Sequence, residues 1–299
     1  MSRQVQGYLY LALAMLTVGS TVVSSKLIAS GLPPFSATAL RFAIAFPIFL
    51  VLMRATGARL PKLSGKDRVI LVIQAGAGSV GYTTLLISGL SLTSAADAGV
   101  IIGTLPVVSA AISILLLGER PQRGLLLAVA LATAGVLSIA ATPEAAGGSL
   151  AGNALIFLAV VCEGVFILLN KKLKTEIAPI AQSALMTGIG FIVAVIPAVF
   201  EAPLAHGMSG SAVAAVVYYA LVPTVGGFLL WYAGAERVSG TEAALFTALA
   251  PVSAVMLAFI ILGEPVELSQ IAGIAWVLAA VLGLAFAGSR VAVKRVEAR

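Results

Sequence analysis

Along this chain, apolar runs of about twenty residues alternate with short polar or glycine- and proline-rich breaks. About twenty apolar residues is the length a helix needs to cross a bilayer. The runs predict ten spans, near 7–29, 35–54, 69–90, 97–117, 124–142, 152–170, 179–200, 212–234, 241–262 and 268–288. The breaks between them, among them "GLPP", "TPEAAGGS" and "NKKLKTEIAP", carry the residues that end helices. Within lipid a helix satisfies its own backbone, whereas an open sheet leaves an edge unpaired. The pattern therefore predicts an all-α polytopic membrane protein.

Composition agrees. Of 299 residues, 60% are hydrophobic and 10% are charged, against about 25% charged in soluble domains. The net charge of +6 is read by position rather than as a nucleic-acid signal. With the N-terminus placed inside, inner segments hold 16 of the 18 basic residues, all but Lys26 and Arg41. The outer loops carry Glu144, Glu201, Glu264 and Glu267. This asymmetry predicts two cytoplasmic termini in a plasma (inner) membrane. Cys162 is the sole cysteine and His206 the sole histidine. An internal disulfide is thus impossible, and a histidine metal site or a Ser-His-Asp triad is disfavoured. No phosphate-binding glycine loop is present. The sequence points to no enzyme, cofactor, metal or nucleic-acid partner.

One spacing recurs. "LLLGERP" at 115–121 and "IILGEP" at 260–265 place Glu119 and Glu264 145 positions apart. The same offset relates Gly7 to Gly152, Gly19 to Gly164, Lys26 to Lys171, Pro34 to Pro179, Gly81 to Gly226, Gly89 to Gly234 and Pro106 to Pro251. The chain reads as two repeats, 1–145 and 146–299, the second ending in a cytoplasmic tail. Five spans per repeat is an odd number, so the second repeat enters the membrane inverted. Inverted repeats give two pseudo-symmetric ways to open one midplane site, a signature of secondary transporters. The first span loosely resembles a signal peptide, but it belongs to the repeat, which argues for its retention.

Each Gly-Glu corner joins the fourth and fifth spans of its repeat. Gly118 and Gly263 suit a left-handed helix C-terminus. A carboxylate just past that terminus opposes the helix dipole, so each Glu is expected to accept hydrogen bonds from a neighbouring helix start, with a gate role as the alternative. "SAAD" at 94–97 and "SGTE" at 239–242 fit a capping pattern, with Asp97 and Glu242 in positive first turns. Pro106 and Pro251 are expected to kink the fourth and ninth spans, as fixed bends or as moving gates.

Glu163, mid-span in "AVVCEGVFILLN", is the sharpest feature. A carboxylate there costs about 2.5–3.5 kcal/mol on insertion scales. It is either a proton site or a carboxyl bonded to a neighbouring helix. Lys26 and Arg41 are explained by snorkelling to headgroups, with a buried role toward an anionic phosphate substrate as the alternative. Gln74, Ser79, Tyr82 and Thr83 on the third span, and Thr224, Phe228 and Trp231 on the eighth, supply aromatic faces and hydroxyls for an amphipathic ligand. Ser20, Ser24, Phe166, Asn170 and Phe246 complete the expected cavity. Trp231 and Tyr232 also fit an interfacial aromatic belt.

The motifs "LPPFSATALRF", "GERP" followed by Gly135, and "APVSAVMLAFIILGEP" followed by Gly273 and Gly283 resemble the EamA-type members of the drug/metabolite transporter superfamily. The resemblance covers essentially the whole chain, and its branch is similar to the YddG-like exporters of aromatic amino acids. It implies ten helices in two inverted halves and export of small metabolites or drugs. Many relatives carry Trp-Gly in the first helix where this chain has Val18-Gly19. The implied partners are the bilayer, a small-molecule substrate and, through Glu163, protons; a monomer suffices. The alternatives are a proton-coupled cation exporter, a membrane-embedded enzyme and a non-transporting sensor.

Overall fold

A computed structural model of the protein describes residues 2–117, 123–140, 149–201, 208–238, 246 and 249–280. Among these residues the secondary structure is helical throughout. Six helical stretches are long and apolar enough to cross a membrane, and Leu249–Leu262 and Leu268–Ala280 are shorter apolar helices. The first half comprises α1 (Arg3–Ala29), α2 (Pro34–Thr56), α3 (Gly65–Gln74), a π-helical turn π1 (Ala75–Gly81), α4 (Tyr82–Leu90), α5 (Ala95–Ile102), α6 (Leu105–Leu117) and α7 (Arg123–Ala140). The second comprises α8 (Leu150–Lys172), α9 (Pro179–Phe200), α10 (Gly210–Tyr219), π2 (Ala220–Gly226), α11 (Gly227–Ala235), α12 (Leu249–Leu257), π3 (Ala258–Leu262) and α13 (Leu268–Ala280).

Two expected spans are not simple α-helices. The third and eighth are each interrupted by a π-helical turn, at Ala75–Gly81 and Ala220–Gly226. These turns are themselves 145 positions apart, as are the helical pieces on either side, Gly65–Gln74 with Gly210–Tyr219 and Tyr82–Leu90 with Gly227–Ala235. In π2 the cause is visible. Pro223 has no N–H to offer the Tyr219 carbonyl, and Thr224 Oγ1 donates to it instead at 2.9 Å. The fourth span also departs from expectation, because it breaks at Gly103 and Thr104. Pro106 is consequently the second residue of α6 and not a mid-helix kink. The first turn tolerates proline, since its N–H would be unpaired there anyway. Pro251 lies within α12 and is buried.

Packing crosses the two halves. α1 lies against α11 and α12, while α8 lies against α4 and α6, and α2 runs along α9. At two crossings the backbones approach through glycine. A Cβ at Gly152 would lie 3.0 Å from the Gly89 carbonyl oxygen, and one at Gly89 would lie 3.0 Å from that of Gly152. A Cβ at Gly7 would lie 3.3 Å from the Gly234 carbonyl oxygen, and one at Gly234 would lie 3.1 Å from that of Gly7. Ile156 fills beside the first crossing and Leu11 beside the second. All six residues form pairs at the 145 offset, so one packing device is used twice.

The polar contacts sort to two ends of the bundle. Lys26, the starts of α2 and α5, Glu201 and Glu264 meet at one end. Asp67, Asn170, Thr175 and Gln182 meet at the other. That second end also carries Arg54, Arg68, Lys172 and Lys174, the basic side of the sequence reading.

Replacing Gly152 with valine is expected to lower stability by about 1–3 kcal/mol through overpacking. Gly210→Ala meets nothing within 4 Å and is expected to be neutral or stabilising. Thermal unfolding of the detergent-solubilised protein checks both. Equal melting temperatures for the two variants would show that the Gly89–Gly152 crossing is not tight.

Candidate functional site at the centre of the bundle

The helix ends show how this fold handles polar groups. Gly263 ends π3 in the left-handed conformation, φ 67°, and Glu264 follows it. The Glu264 carboxylate accepts from the Ala95 and Ala96 N–H groups, both at 3.1 Å. This corner thus caps a neighbouring helix start, as its sequence predicts. The Gly118-Glu119 corner and the Ser239/Glu242 cap lie outside the described residues. Ser94 caps α5 by accepting from Asp97 N–H at 3.0 Å, and Gln270 donates to Asp97 Oδ1 at 2.7 Å. Glu201 caps α2 through Phe35 N–H, Ser36 N–H and the Ser36 hydroxyl at 3.0, 2.7 and 2.7 Å.

Neither basic residue within the spans snorkels. Lys26 Nζ donates to the Leu90 and Thr93 carbonyls at 2.8 and 2.6 Å, closing the C-terminal end of α4. Arg41 turns inward and is only 8% exposed. Its Nη2 donates to the Ser79 carbonyl at 3.2 Å and to Thr83 Oγ1 at 2.9 Å. Its guanidinium carbon lies 4.3 Å from the Phe42 ring centroid and 4.6 Å from that of Tyr219. Its Nε is buried without a partner among the described residues.

Glu163 approaches the same place from α8. Cys162, one residue before it, faces Gly81, and Phe166 packs against Gly78. Gln74 Nε2 donates to the Phe166 carbonyl at 3.2 Å, while Gln74 Oε1 has no partner among the described residues. Residues 78–83 are therefore gripped by α8 on one side and by Arg41 of α2 on the other. Glu163 lies within Coulombic reach of Arg41 and Tyr82. Yet among the described residues it makes no hydrogen bond or ion pair, and its side chain is half-buried.

The structure brings together Gln74, Ser79, Tyr82, Thr83, Glu163 and Phe166 of the expected cavity. It adds Arg41 and Tyr219, which sequence reasoning placed elsewhere or passed over. The remaining expected residues make other contacts, Thr224 with the Tyr219 backbone. Ser24 donates to carbonyls of its own helix, Ser20 and Thr21. Ser20 accepts from the Tyr218 hydroxyl at 2.9 Å. Thr224 is held within π2. Asn170 is exposed at the end of α8 and bonded to Gln182. Phe228 packs with Phe49 and Tyr232. Trp231 and Phe246 cluster with Ala14, Met15 and Val18 of α1, and Phe246 stacks on Tyr8.

Comparison with known proteins places this site in a family. The EamA-like transporter family profile matches residues 5–141 and again 150–286, ranges that also differ by 145. The chain belongs to the EamA-like transporter family, and is a multi-pass membrane protein of a class that transports rather than catalyses. It is 34% identical over 282 residues to the uncharacterized transporter YetK of Bacillus subtilis, covering 92% of this chain and 86% of the relative. It is 28% identical over 226 residues to a probable terminal-alkyne amino-acid exporter of Streptantibioticus cattleyicolor, covering 73% and 72%. A crystal structure of a protein 20% identical to it superposes with a TM-score of 0.59 over 95% of this chain and 97% of the other, a likeness of fold.

Glu264→Ala removes two charge-assisted bonds from the start of α5. It is expected to cost about 1–2 kcal/mol, with Glu264→Gln intermediate. Thermal unfolding in detergent reads this loss. An unchanged melting temperature together with altered solute flux would instead make the corner a gate contact.

Proposed function

We propose that this protein is a secondary transporter that exports small amphipathic metabolites, above all neutral hydrophobic or aromatic amino acids, by alternating access. The carrying observation is the pair of ionisable side chains, Arg41 and Glu163, held inside the bundle among Tyr82, Phe166 and Tyr219. Ionisable groups at membrane depth are costly, and they characteristically mark solute or ion pathways. Aromatic faces beside two opposite charges suit a ligand with a polar head and an apolar side chain. The name of the Streptantibioticus relative favours an amino-acid cargo.

The proposed architecture is ten helices in two inverted halves, 1–145 and 146–299, acting as a monomer with both termini on the cytoplasmic side of the inner membrane. Three features support it: the repeated element boundaries, the family profile matched twice at one offset, and the basic end of the bundle. Glu163 is the group through which a proton gradient would be coupled. An exporter of organic cations is the second reading, favoured by that unpaired carboxylate. The Arg41 charge opposes it, because a cation bound beside Glu163 is also repelled by the guanidinium.

The purified protein in liposomes loaded with phenylalanine is expected to show saturable counterflow of labelled phenylalanine. Flux that follows an imposed pH gradient would identify protons as the coupling ion. If a broad panel of amino acids gives no flux, the amino-acid reading fails; flux of a quaternary ammonium dye in its place would establish the cation reading.

A further inference from the structure

The charges at the centre carry more than a general transport role. Three observations bear on them. First, opposite charges buried in a protein normally meet in contact, where each offsets the other's desolvation. Arg41 and Glu163 feel one another, but no ion pair joins them among the described residues. Second, each is incompletely satisfied. Arg41 spends Nη2 on Ser79 and Thr83 and is also held by Tyr219, while among the described residues its Nε has no partner and Glu163 makes no hydrogen bond. Third, the scaffold does not require them. The residues 145 positions away are Met186 for Arg41 and Val18 for Glu163. The same fold element is thus built in the other half with apolar side chains. Charges placed where the repeat does without them, and kept apart where contact would be cheaper, await a third group.

Resting on the transport reading above, we infer that this site recognises its cargo as a zwitterion, with Arg41 taking a carboxylate and Glu163 taking an ammonium group of the same small molecule. An α-amino acid has that chemistry. A plain cation satisfies Glu163 but is repelled by Arg41, and a plain anion meets the reverse. Only a ligand bearing both charges completes both side chains. Tyr82 lies within Coulombic reach of both groups, and the Tyr219 and Phe42 rings hold the guanidinium from its faces. The guanidinium is therefore fixed before the ligand arrives, which reduces the ordering cost of binding.

The test uses wild-type protein in liposomes and counterflow of labelled phenylalanine. Competitors are unlabelled phenylalanine, 3-phenylpropanoate, which lacks the ammonium, and phenethylamine, which lacks the carboxylate. Each one-charge analogue is expected to inhibit at least about tenfold more weakly than phenylalanine, the size of one lost charge-assisted bond with a partner left buried. In Glu163→Gln the gap between phenylalanine and 3-phenylpropanoate should close, and the phenethylamine gap should remain. In Arg41→Gln the reverse should hold, with Arg41→Lys keeping the wild-type order. A merely structural role would lower flux without moving these rankings. Analogues that compete as well as phenylalanine in wild type, or variants that leave the rankings unchanged, overturn the inference while leaving the transporter reading intact. No counterflow of phenylalanine or of any other amino acid in wild type removes this inference together with the amino-acid reading. The wild-type comparison needs no variant to fold.

Discussion

Hydrocarbon offers no water, so a polar group inside this bundle must find its partner in the protein. That constraint organises the structure. Helix starts that would point bare N–H groups toward the membrane edge receive carboxylates from distant loops, Glu264 onto α5 and Glu201 onto α2. A helix end receives an ammonium, Lys26 onto the carbonyls closing α4. Asp97 is met by Gln270, which is itself fully buried. These bonds tie residues more than sixty positions apart, so satisfying the backbone also fastens the helices to one another. The pairing is not complete: among the described residues Arg41 Nε, Gln74 Oε1, Asn153 Nδ2 and Arg237 Nε are buried without a partner, and Glu163 makes no hydrogen bond.

Duplication accounts for the scaffold and its breakdown accounts for the site. The glycine crossings Gly7–Gly234 and Gly89–Gly152 use equivalent residues of both halves, each with its aliphatic neighbour, Leu11 or Ile156. The π turns recur as well. Yet the side chains that their surroundings hold differ between halves. π1 offers the Ser79 carbonyl to Arg41 and Thr83, whereas π2 spends its freed Tyr219 carbonyl on Thr224. A symmetric frame with an asymmetric lining can keep one binding chemistry while its surroundings change.

Much of this was legible in the chain. Apolar runs located the six long spans found among the described residues, because length and hydropathy are what a bilayer demands. The Gly263-Glu264 corner and the Ser94 cap were readable, because each depends on local geometry and a short spacing. The π turns were not, since their cause is a contest between backbone partners. Pro223 hints at one of them, and in "AGAGSVG" only the small residues do. The break at Gly103–Thr104 falls where Gly103, Thr104 and Pro106 interrupt the apolar run, a signal the span length overrode. Arg41 was misread for a physical reason. Near a span end, the distance to the headgroups and the distance to the bundle axis are similar for a long side chain. Only the packing of α2 on α9, α4 and π2 decides between them. The expected cavity mixed residues of several levels, because sequence gives the span of a residue but not the face it turns inward.

The separation of the two charges also bears on how an empty site could persist. An isolated charge at membrane depth would be costly in every conformation. Two opposite charges within Coulombic reach lower that cost without consuming their hydrogen-bonding capacity. With Glu163 ionised the pair is net neutral, and a zwitterion leaves it so; with Glu163 protonated the pair carries the Arg41 charge, the state that a proton-coupled step would use. A ligand of this kind changes the hydrogen bonding of the centre without changing its charge. The electrostatic cost of reorienting the bundle is thus similar with and without cargo. A cation or an anion would shift that balance by a full charge in a medium that screens poorly. On the zwitterion reading proposed above, the same arrangement disfavours transport of singly charged molecules, through the energetics of movement as well as of binding.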